Sequence, residues 1–300
     1  MNRLFLCLIV VAGLLSPEAN YAQDNRFYGI ILNSETGAPI PYAHIYLVEG
    51  ESGTTSGPNG RFRLVFPNQF NEGEVTISAV GFQTVQFNLE NLVKHEEAEI
   101  ELVPAIFESD AAYVVADNYK KHRIRNRRSF FSRAAKNLTA PPVEHVAFGF
   151  AQHITHNEDR IWPISFKFYL NINDRFTYDY DEVDKSENTN SDSLRFRLRF
   201  VQADENGLPT EIDLFPFSIL RETAIKSGSV EFDLQEETHA ISKSDFFILV
   251  EWLVEEPQTQ GVIPFYEIRW EKGSHYFRLN PLKKWGESNH ELIFDFKYEG

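Results

Sequence analysis

Apolar and polar residues alternate along most of the chain after residue 23, and turn residues interrupt the pattern about every ten positions. Because successive side chains on a strand point to opposite faces, period-two runs predict half-buried β-strands. In the first third of the chain they predict strands at 26–33, 42–48, 61–66, 74–80 and 82–89. This spacing is typical of a small β-sandwich of about 80 residues.

The glycine-rich stretch GTTSGPNGRFRL, residues 53–64, poses a choice between a phosphate-binding loop and a hairpin turn. A phosphate loop requires a helix after the glycines, so that free backbone N–H groups converge on the anion. The residues that follow, 61–66, instead have period two. The stretch therefore predicts a turn that leads into a strand, with Gly60 and Gly81 at bends that favour positive φ.

The pattern resumes at residue 143 and predicts a second, larger sandwich of jelly-roll type. The predicted strands are 146–154, 161–171, 194–202, 212–220, 229–234, 245–254, 263–270, 275–279 and 291–298. In the run LRFRLRFV, residues 194–201, the apolar side chains point inward and Arg195, Arg197 and Arg199 point outward. The run DFFILVEW is apolar on both faces except at Glu251, which predicts a central strand.

Residues 1–22 have the features of a signal peptide: Arg3, an apolar run over residues 4–15, and a small residue at Ala22. The mature chain is expected to begin near Gln23, without a transmembrane helix. Cleavage removes the single Cys and the single Met. Disulfides, thiolate nucleophiles and Cys-ligated zinc are then excluded for the mature protein.

The net charge of −15 argues against a nucleic-acid partner, since phosphate is repelled by an acidic surface. One stretch has the opposite charge: residues 120–136 hold eight Lys or Arg and no acid. Residues 105–142 are interpreted as a basic linker with a helix over 108–121. The basic block is either solvated, or docks on anionic lipid headgroups, an acidic partner or the chain's own acidic faces.

The N-terminal segments GIILNSETGAPIPYAHIYLVEGESGTTSGPNGRFRLVFP and EVTISAVGFQTVQFNL resemble the carboxypeptidase-regulatory-like domain over residues 27–103. The likeness rests on the Gly-x-Pro turn, on Gly53, Gly60 and Phe62, and on Val80–Phe82. It implies a transthyretin-like, carbohydrate-binding-like fold that is non-catalytic. Such modules occur beside peptidases, in adhesive surface proteins and ahead of the plugs of TonB-dependent receptors, which implies that a companion domain carries the specific function.

Residues 190–255 more distantly resemble jelly-roll adhesin and lectin-type modules of secreted bacterial proteins. Neither a cofactor nor enzymatic activity is expected, because the chain has no His-x-x-Glu, no His-Glu-x-x-His and no Gly-x-Ser-x-Gly. The one paired-histidine motif, His153 and His156, would place the two rings on opposite faces of a strand.

An acidic loop, residues 177–193, is either a solvated loop or a Ca²⁺ site with Asp179, Asp181 and Asp184 as ligands. Sugar binding needs exposed aromatic faces and polar groups beside them. The candidate ligand-binding residues are Trp285, Lys284, Tyr178, Tyr180, Arg195, Arg197 and Arg199. The alternative for the arginines is ion pairing with Glu231, Asp233 and Asp295 on neighbouring strands.

The sequence thus divides into a signal peptide (1–22), a regulatory-like sandwich (23–104), a basic linker (105–142) and a jelly-roll-like sandwich (143–300). It predicts an exported, non-catalytic protein of a Gram-negative cell envelope, in the periplasm or at the outer membrane or cell surface, that binds a glycan or an envelope protein. The alternative is a structural accessory of a TonB-dependent transport or secretion system.

Overall fold

A computed structural model describes residues 24–47, 52–67, 73–92, 97–106, 119–126, 133–134, 147–171, 177–179, 193–235, 239–253, 260–262, 265–278 and 285–300. These residues are almost entirely β-structure in two sandwiches. The N-terminal sandwich comprises residues 24–106, and the second sandwich lies within residues 119–300. In the described part of the chain, no helix is long and apolar enough to cross a membrane.

The described residues of the N-terminal sandwich form seven strands and one short helix. They are β1 (Asp24–Asn33), β2 (His44–Leu47), β3 (Ser52–Thr55), β4 (Arg61–Pro67), β5 (Glu74–Ser78), β6 (Val85–Asn88), α1 (Leu89–Leu92) and β7 (Ala98–Leu102). One sheet has the order β4-β1-β7 and the other β3-β2-β5-β6. Between the sheets lies a core that includes Phe27, Ile45, Leu64 and Ile77. Alternate residues of β4, β5 and β7 are buried as predicted, whereas all four residues of β2 are buried.

The glycine-rich stretch forms β3 and a turn before β4. Gly60 has φ +75°, and a Cβ there would lie 2.7 Å from the carbonyl oxygen of Ile31. Only a residue without a side chain fits this approach. The interpretation as a turn is confirmed, although Ser52–Thr55 form a strand that the pattern did not predict.

The second sandwich contains the remaining strands. They are β8 (Lys121–Arg125), β9 (Arg133–Ala134), β10 (Ala147–Thr155), β11 (Trp162–Asn171), β12 (Thr177–Asp179), β13 (Ser193–Ala203), β14 (Pro209–Asp213), β15 (Ile219–Ala224), β16 (Gly228–Asp233), β17 (Asp245–Leu253), β18 (Gln260–Val262), β19 (Phe265–Arg278), β20 (Gly286–Leu292) and β21 (Phe294–Glu299).

Twelve of these strands form one sheet that folds over its own core. Its main path is β14-β13-β17-β10-β19-β11-β21-β8, while β12 and β18 pair separately. The first part of β19 pairs with β11 and its last part with β10, so this strand joins both halves. Phe168 and Phe196, from opposite halves, meet edge to face at 5.2 Å. The prediction that residues 245–254 form a central strand is confirmed, since β17 lies between β13 and β10.

The described residues of the basic stretch form strands of the second sandwich and not a separate linker, whereas the predicted helix over 108–121 lies almost entirely outside the described residues. Lys121–Arg125 is strand β8 on β21, and Arg133–Ala134 pairs with β19. Arg123 contacts the carboxylate of Asp295, and Lys121 lies 3.8 Å from Glu299. Among the predicted roles of the basic block, these two side chains therefore match contact with the chain's own acidic residues. Alternation in KHRIR fits this strand, because β8 is hydrogen-bonded to β21 at the edge of the sheet and directs Ile124 towards the core. Residues 107–118 lie outside the described residues.

Two other boundaries differ from the predictions. The predicted strand 212–220 is two strands, β14 and β15, because Phe215–Phe217 form a bend that brings Phe215 into the core. The predicted strands 263–270 and 275–279 are instead the single strand β19, whose register on β20 shifts between Trp270 and His275.

The two sandwiches are in contact. Tyr42, which has φ +58°, packs against Leu253 of β17. Gly81 has φ +84° and lies so close to the second sandwich that a Cβ there would be 2.3 Å from the carbonyl oxygen of Pro216. The N-terminal sandwich therefore covers part of the outer face of the β13-β17 sheet.

Candidate functional site

A row of charged side chains crosses the outer face of the second sandwich. Cross-strand pairing aligns Arg197 of β13 with Glu251 of β17, Glu251 with Gly149 of β10, and Gly149 with Arg278 of β19. Gly149 presents no side chain, and a Cβ there would stand 3.5 Å from the Cγ of Arg278. The long side chain of Arg278 therefore lies over Gly149 and reaches Glu251 from two strands away.

Glu251 is the centre of what we call the network, formed by Arg197, Arg199, Arg278, Glu251, Glu211 and Asp213. It accepts from Nε of Arg197 at 2.7 Å, from Nη2 of Arg278 at 3.0 Å and from Nη1 of Arg199 at 3.4 Å. Its side chain is 0% exposed, and those of Arg197, Arg278 and Arg199 are 1%, 1% and 7% exposed. Burial alone would raise the pKa of Glu251, but the three guanidinium charges hold it well below its ordinary value.

The inner end of the network lies at the contact between the sandwiches. Arg197 donates through Nη1 to the carbonyl oxygen of Tyr42 at 2.9 Å, and its Nη2 contacts Nε2 of His44. The guanidinium of Arg195 lies 5.0 Å from the centre of the Tyr42 ring. Burial and the charge of Arg197 lower the pKa of His44 well below its ordinary value, so His44 accepts from Arg197 as a neutral ring.

The outer end of the network reaches the surface at β14. Arg199 donates to both carboxylate oxygens of Asp213, through Nε at 2.8 Å and Nη2 at 3.0 Å. The carboxylate of Glu211 accepts from Nη1 of Arg278, and its Oε2 lies 3.3 Å from Nη1 of Arg199. Its side chain is 57% exposed. Burial lowers the pKa of Arg199, but Asp213 and Glu251 raise it well above its ordinary value.

Trp285 covers Arg278. The guanidinium carbon of Arg278 lies 4.4 Å from the indole centre, within the range of a cation–π interaction. The half-buried ring packs against a small apolar cluster that includes Ala151 and Leu249. Its Nε1 is buried and has no hydrogen-bond partner among the described residues.

The arginines of β13 all face away from the core of the second sandwich, as predicted, but Arg197 and Arg199 are buried. The predicted partners are wrong: Glu231 pairs with Lys167 at 2.7 Å, and Asp295 with Arg123. Arg195 instead lies 3.2 Å from Glu222. Strand order explains the difference, because β15 and β17, and not β16 or β21, flank β13.

Several predicted site residues cannot be placed in the network. Lys284, Tyr180, Asp181 and Asp184 lie outside the described residues. Tyr178 and Asp179 belong to β12, of which only the backbone is described, so the Ca²⁺ site stays a prediction. Among the described side chains, no group of three or more His, Cys, Asp or Glu residues is arranged to hold a metal.

The paired histidines separate as the strand geometry predicts. His153 contacts Asp245, whereas Nε2 of His156 bonds the carbonyl oxygen of Lys243 at 2.8 Å. His44, Gly149, Glu211 and Arg278 were missed by sequence reasoning. No local pattern marks them, since each reaches the network through pairing with distant strands.

Comparison with solved structures finds distant likenesses, of which one can be described. The matched chain is described as the cysteine protease and lectin-like domains of Cwp84, a surface layer associated protein of Clostridium difficile. Identity is 10%, the TM-score is 0.35, and the match covers 51% of this chain and 32% of that chain. A likeness at this level is too distant to establish a shared ligand or activity.

No curated protein matches the chain. Residues 27–114 match the family model of the CarboxypepD_reg-like domain. The match includes all the described strands of the N-terminal sandwich except the first residues of β1. The N-terminal sandwich is therefore a CarboxypepD_reg-like domain, as its sequence indicates.

Proposed function

We propose that the protein is an exported, non-catalytic component of the cell envelope, and that its second sandwich binds a carbohydrate or protein ligand. The CarboxypepD_reg-like family of the N-terminal sandwich is non-catalytic. In this proposal the N-terminal sandwich is a supporting module, and specificity lies in its companion.

One observation carries the proposal: Arg197 bonds Glu251 within the second sandwich and Tyr42 and His44 of the N-terminal sandwich. These groups are buried and partnered, so they hold the two sandwiches in one orientation. A binding surface that is fixed before the ligand arrives loses less entropy on association.

The charge state of the network favours binding over catalysis. A general acid or base must exchange a proton near the working pH and must reach the substrate. Glu251 is fully buried, and three guanidinium groups keep it ionised. Its properties are those of a structural counter-charge.

The proposal is tested with purified protein that begins at Gln23, applied to a glycan array and used to capture partners from envelope fractions. We expect specific binding of a glycan or an envelope protein, and cleavage near Gln23 with delivery to the envelope when the full sequence is expressed. Retention in the cytoplasm, or binding to neither ligand class, would contradict the proposal. Capture of membrane transport components without glycan binding would favour the accessory function.

A further inference from the structure

We infer that the outer end of the network is a binding site for a sugar that bears a carboxylate, and that Glu211 occupies this site in the unliganded protein. The inference rests on the proposed function, since it specifies the ligand class of the second sandwich. It is drawn from the unequal burial of Glu211 and the two arginines that it contacts.

Glu211 is the exposed member of an otherwise buried set. Its side chain is 57% exposed, whereas those of Arg278 and Arg199 are 1% and 7% exposed. Glu211 lies on β14, at the edge of the sheet. Glu211 is solvated by water when it leaves the arginines, whereas Glu251 and Asp213 are 0% and 10% exposed and would have to be moved out of buried positions. It is therefore the network member that a ligand can replace.

The arginines keep their positions when Glu211 leaves. Arg199 remains bound to both oxygens of Asp213, and Arg278 remains bound to Glu251 at 3.0 Å. Nη1 of Arg278 and Nη1 of Arg199, which both face Glu211, are then directed at the vacated position. A carboxylate that enters finds guanidinium donors already oriented, which favours charge-assisted hydrogen bonds.

Charge balance selects the ligand. The network has three guanidinium groups, on Arg197, Arg199 and Arg278, and three carboxylates, on Glu251, Asp213 and Glu211, so its formal charges balance. A carboxylate that replaces Glu211 preserves the balance at the buried arginines. A neutral sugar that replaced Glu211 would leave the network with an excess of one positive charge at largely buried arginines.

Trp285 favours a sugar over a peptide terminus. The indole stacks on Arg278 and is half-buried, so an aromatic surface lies next to the guanidinium that holds the carboxylate. Aromatic surface beside oriented polar donors is the arrangement that binds a pyranose ring.

The experiment measures binding of trigalacturonate to the purified protein by isothermal titration calorimetry, with neutral galactotriose as the uncharged probe. We expect binding of trigalacturonate only. Glu211→Gln should raise the affinity on the order of tenfold, because the internal competitor is removed. Glu222→Gln is the matched control, since Glu222 is an exposed carboxylate beside Arg195, and it should leave the affinity unchanged.

Arg278→Gln should abolish binding of trigalacturonate. Trp285→Ala should weaken this binding, although Glu211 in that variant still contacts Arg278 and Arg199. If Arg278→Gln does not fold, Glu211→Gln and Trp285→Ala still decide the result. Equal affinity in Glu211→Gln and the unmodified protein, or equal binding of galactotriose, would overturn the inference. So would stronger binding of a tripeptide with a free C-terminal carboxylate.

The two proposals fail separately. A neutral glycan or an envelope protein that binds equally well to Glu211→Gln and to the unmodified protein would overturn the carboxylate site and leave the proposed function intact. Absence of binding to every glycan and envelope protein would overturn both.

Discussion

Nε of Arg197 donates to Oε2 of Glu251 over 2.7 Å, and neither side chain exposes more than 1% of its surface. Two charges so far from water are stable only when each is compensated. Arg199 and Arg278 share the same carboxylate. Stability of the second sandwich should therefore depend on Glu251 more than on any surface acid.

Glu251→Gln keeps the shape of the side chain and removes its charge. We expect a loss of about 3–5 kcal/mol in the free energy of unfolding, because three buried guanidinium groups lose their shared counter-charge. Glu231→Gln is the control: Glu231 is 44% exposed in its pair with Lys167, and its loss should be within about 1 kcal/mol. Chemical denaturation measures both, and equal losses would contradict the central position of Glu251.

The lowered pKa of His44 predicts that the stability of the protein depends on pH. The pKa of His44 is well below the ordinary 6.5, through burial and then through Arg197, with Arg278 and Arg199 acting in the same direction and Glu251 opposing them. The folded state therefore binds fewer protons at His44 than the unfolded state. The stabilisation of the folded state that depends on neutral His44 is fully present above pH 6.5, and it is lost as the pH falls from there towards the pKa of His44 in the folded state.

His44→Gln keeps an acceptor for Arg197 and does not titrate. The difference in unfolding free energy between the unmodified protein and this variant should fall as pH decreases from 8 to 5, roughly the range in which His protonates. A difference that does not vary with pH would show that His44 is not the titrating group. Glu251, whose pKa is also lowered, acts only below pH 4.5.

Gly81→Ala should weaken the contact between the sandwiches. The new Cβ would lie 2.3 Å from the carbonyl oxygen of Pro216, and Gly81 also has φ +84°. Gly207→Ala is the matched control, with φ +74° and no atom within 4 Å. In both variants the unfolding free energy should fall by about 1–2 kcal/mol, because alanine is strained in the left-handed region. In Gly81→Ala it should fall by about 1–3 kcal/mol more, because the new Cβ overpacks the contact.

Hydrogen exchange at β2 distinguishes the two glycine variants. Amide exchange around His44 should accelerate in Gly81→Ala and not in Gly207→Ala, since only the former displaces β2 from Arg197. The same stability and exchange in both variants would mean that the Gly81 contact is not part of the interface.

Asn126 tests whether the basic stretch belongs to the second sandwich. Its Nδ2 donates to the carbonyl oxygen of Leu292 at 2.6 Å, and its Oδ1 accepts from the backbone N–H of Phe294 at 2.8 Å. Asn126→Ala should reduce the unfolding free energy by about 1–3 kcal/mol, because two backbone groups lose their partner. Lys121→Ala is the control: this side chain is 79% exposed, and its removal should change the unfolding free energy by less than about 0.5 kcal/mol. Thermal unfolding measures both variants, and a larger loss in Lys121→Ala than in Asn126→Ala would contradict the prediction.

Period-two alternation predicted the fold wherever one face of a strand is buried. Phe196 and Phe200 lie in the core, while Arg197 and Arg199 face away from it, as their spacing requires. Alternation also exists in KHRIR, but the charge of the surrounding block favoured a linker. Edge strands such as β8 need little apolar surface, so composition alone does not identify them.

The network was only partly predictable. Alternation identified the arginine row, and Glu251 was recognised as the polar exception in an apolar strand. Their partners depend on strand order and on contact between sandwiches: His44 lies 153 residues from Arg197 along the chain. Local patterns contain no information about such pairing, and Gly149 and Arg278 acquire their function only from the register of β10 on β19.

The parallel pairing of β1 with β7 determines how the N-terminal sandwich would respond to tension between its two ends. Because the two strands run in the same direction, the sandwich starts at one end of this ladder and finishes at the opposite end. Tension along the chain would load the hydrogen bonds from Gly29 to Asn33 in shear, all together, instead of opening them one at a time. Bonds loaded together resist separation more strongly than bonds opened in turn, so this ladder would resist stretching between the two ends of the sandwich.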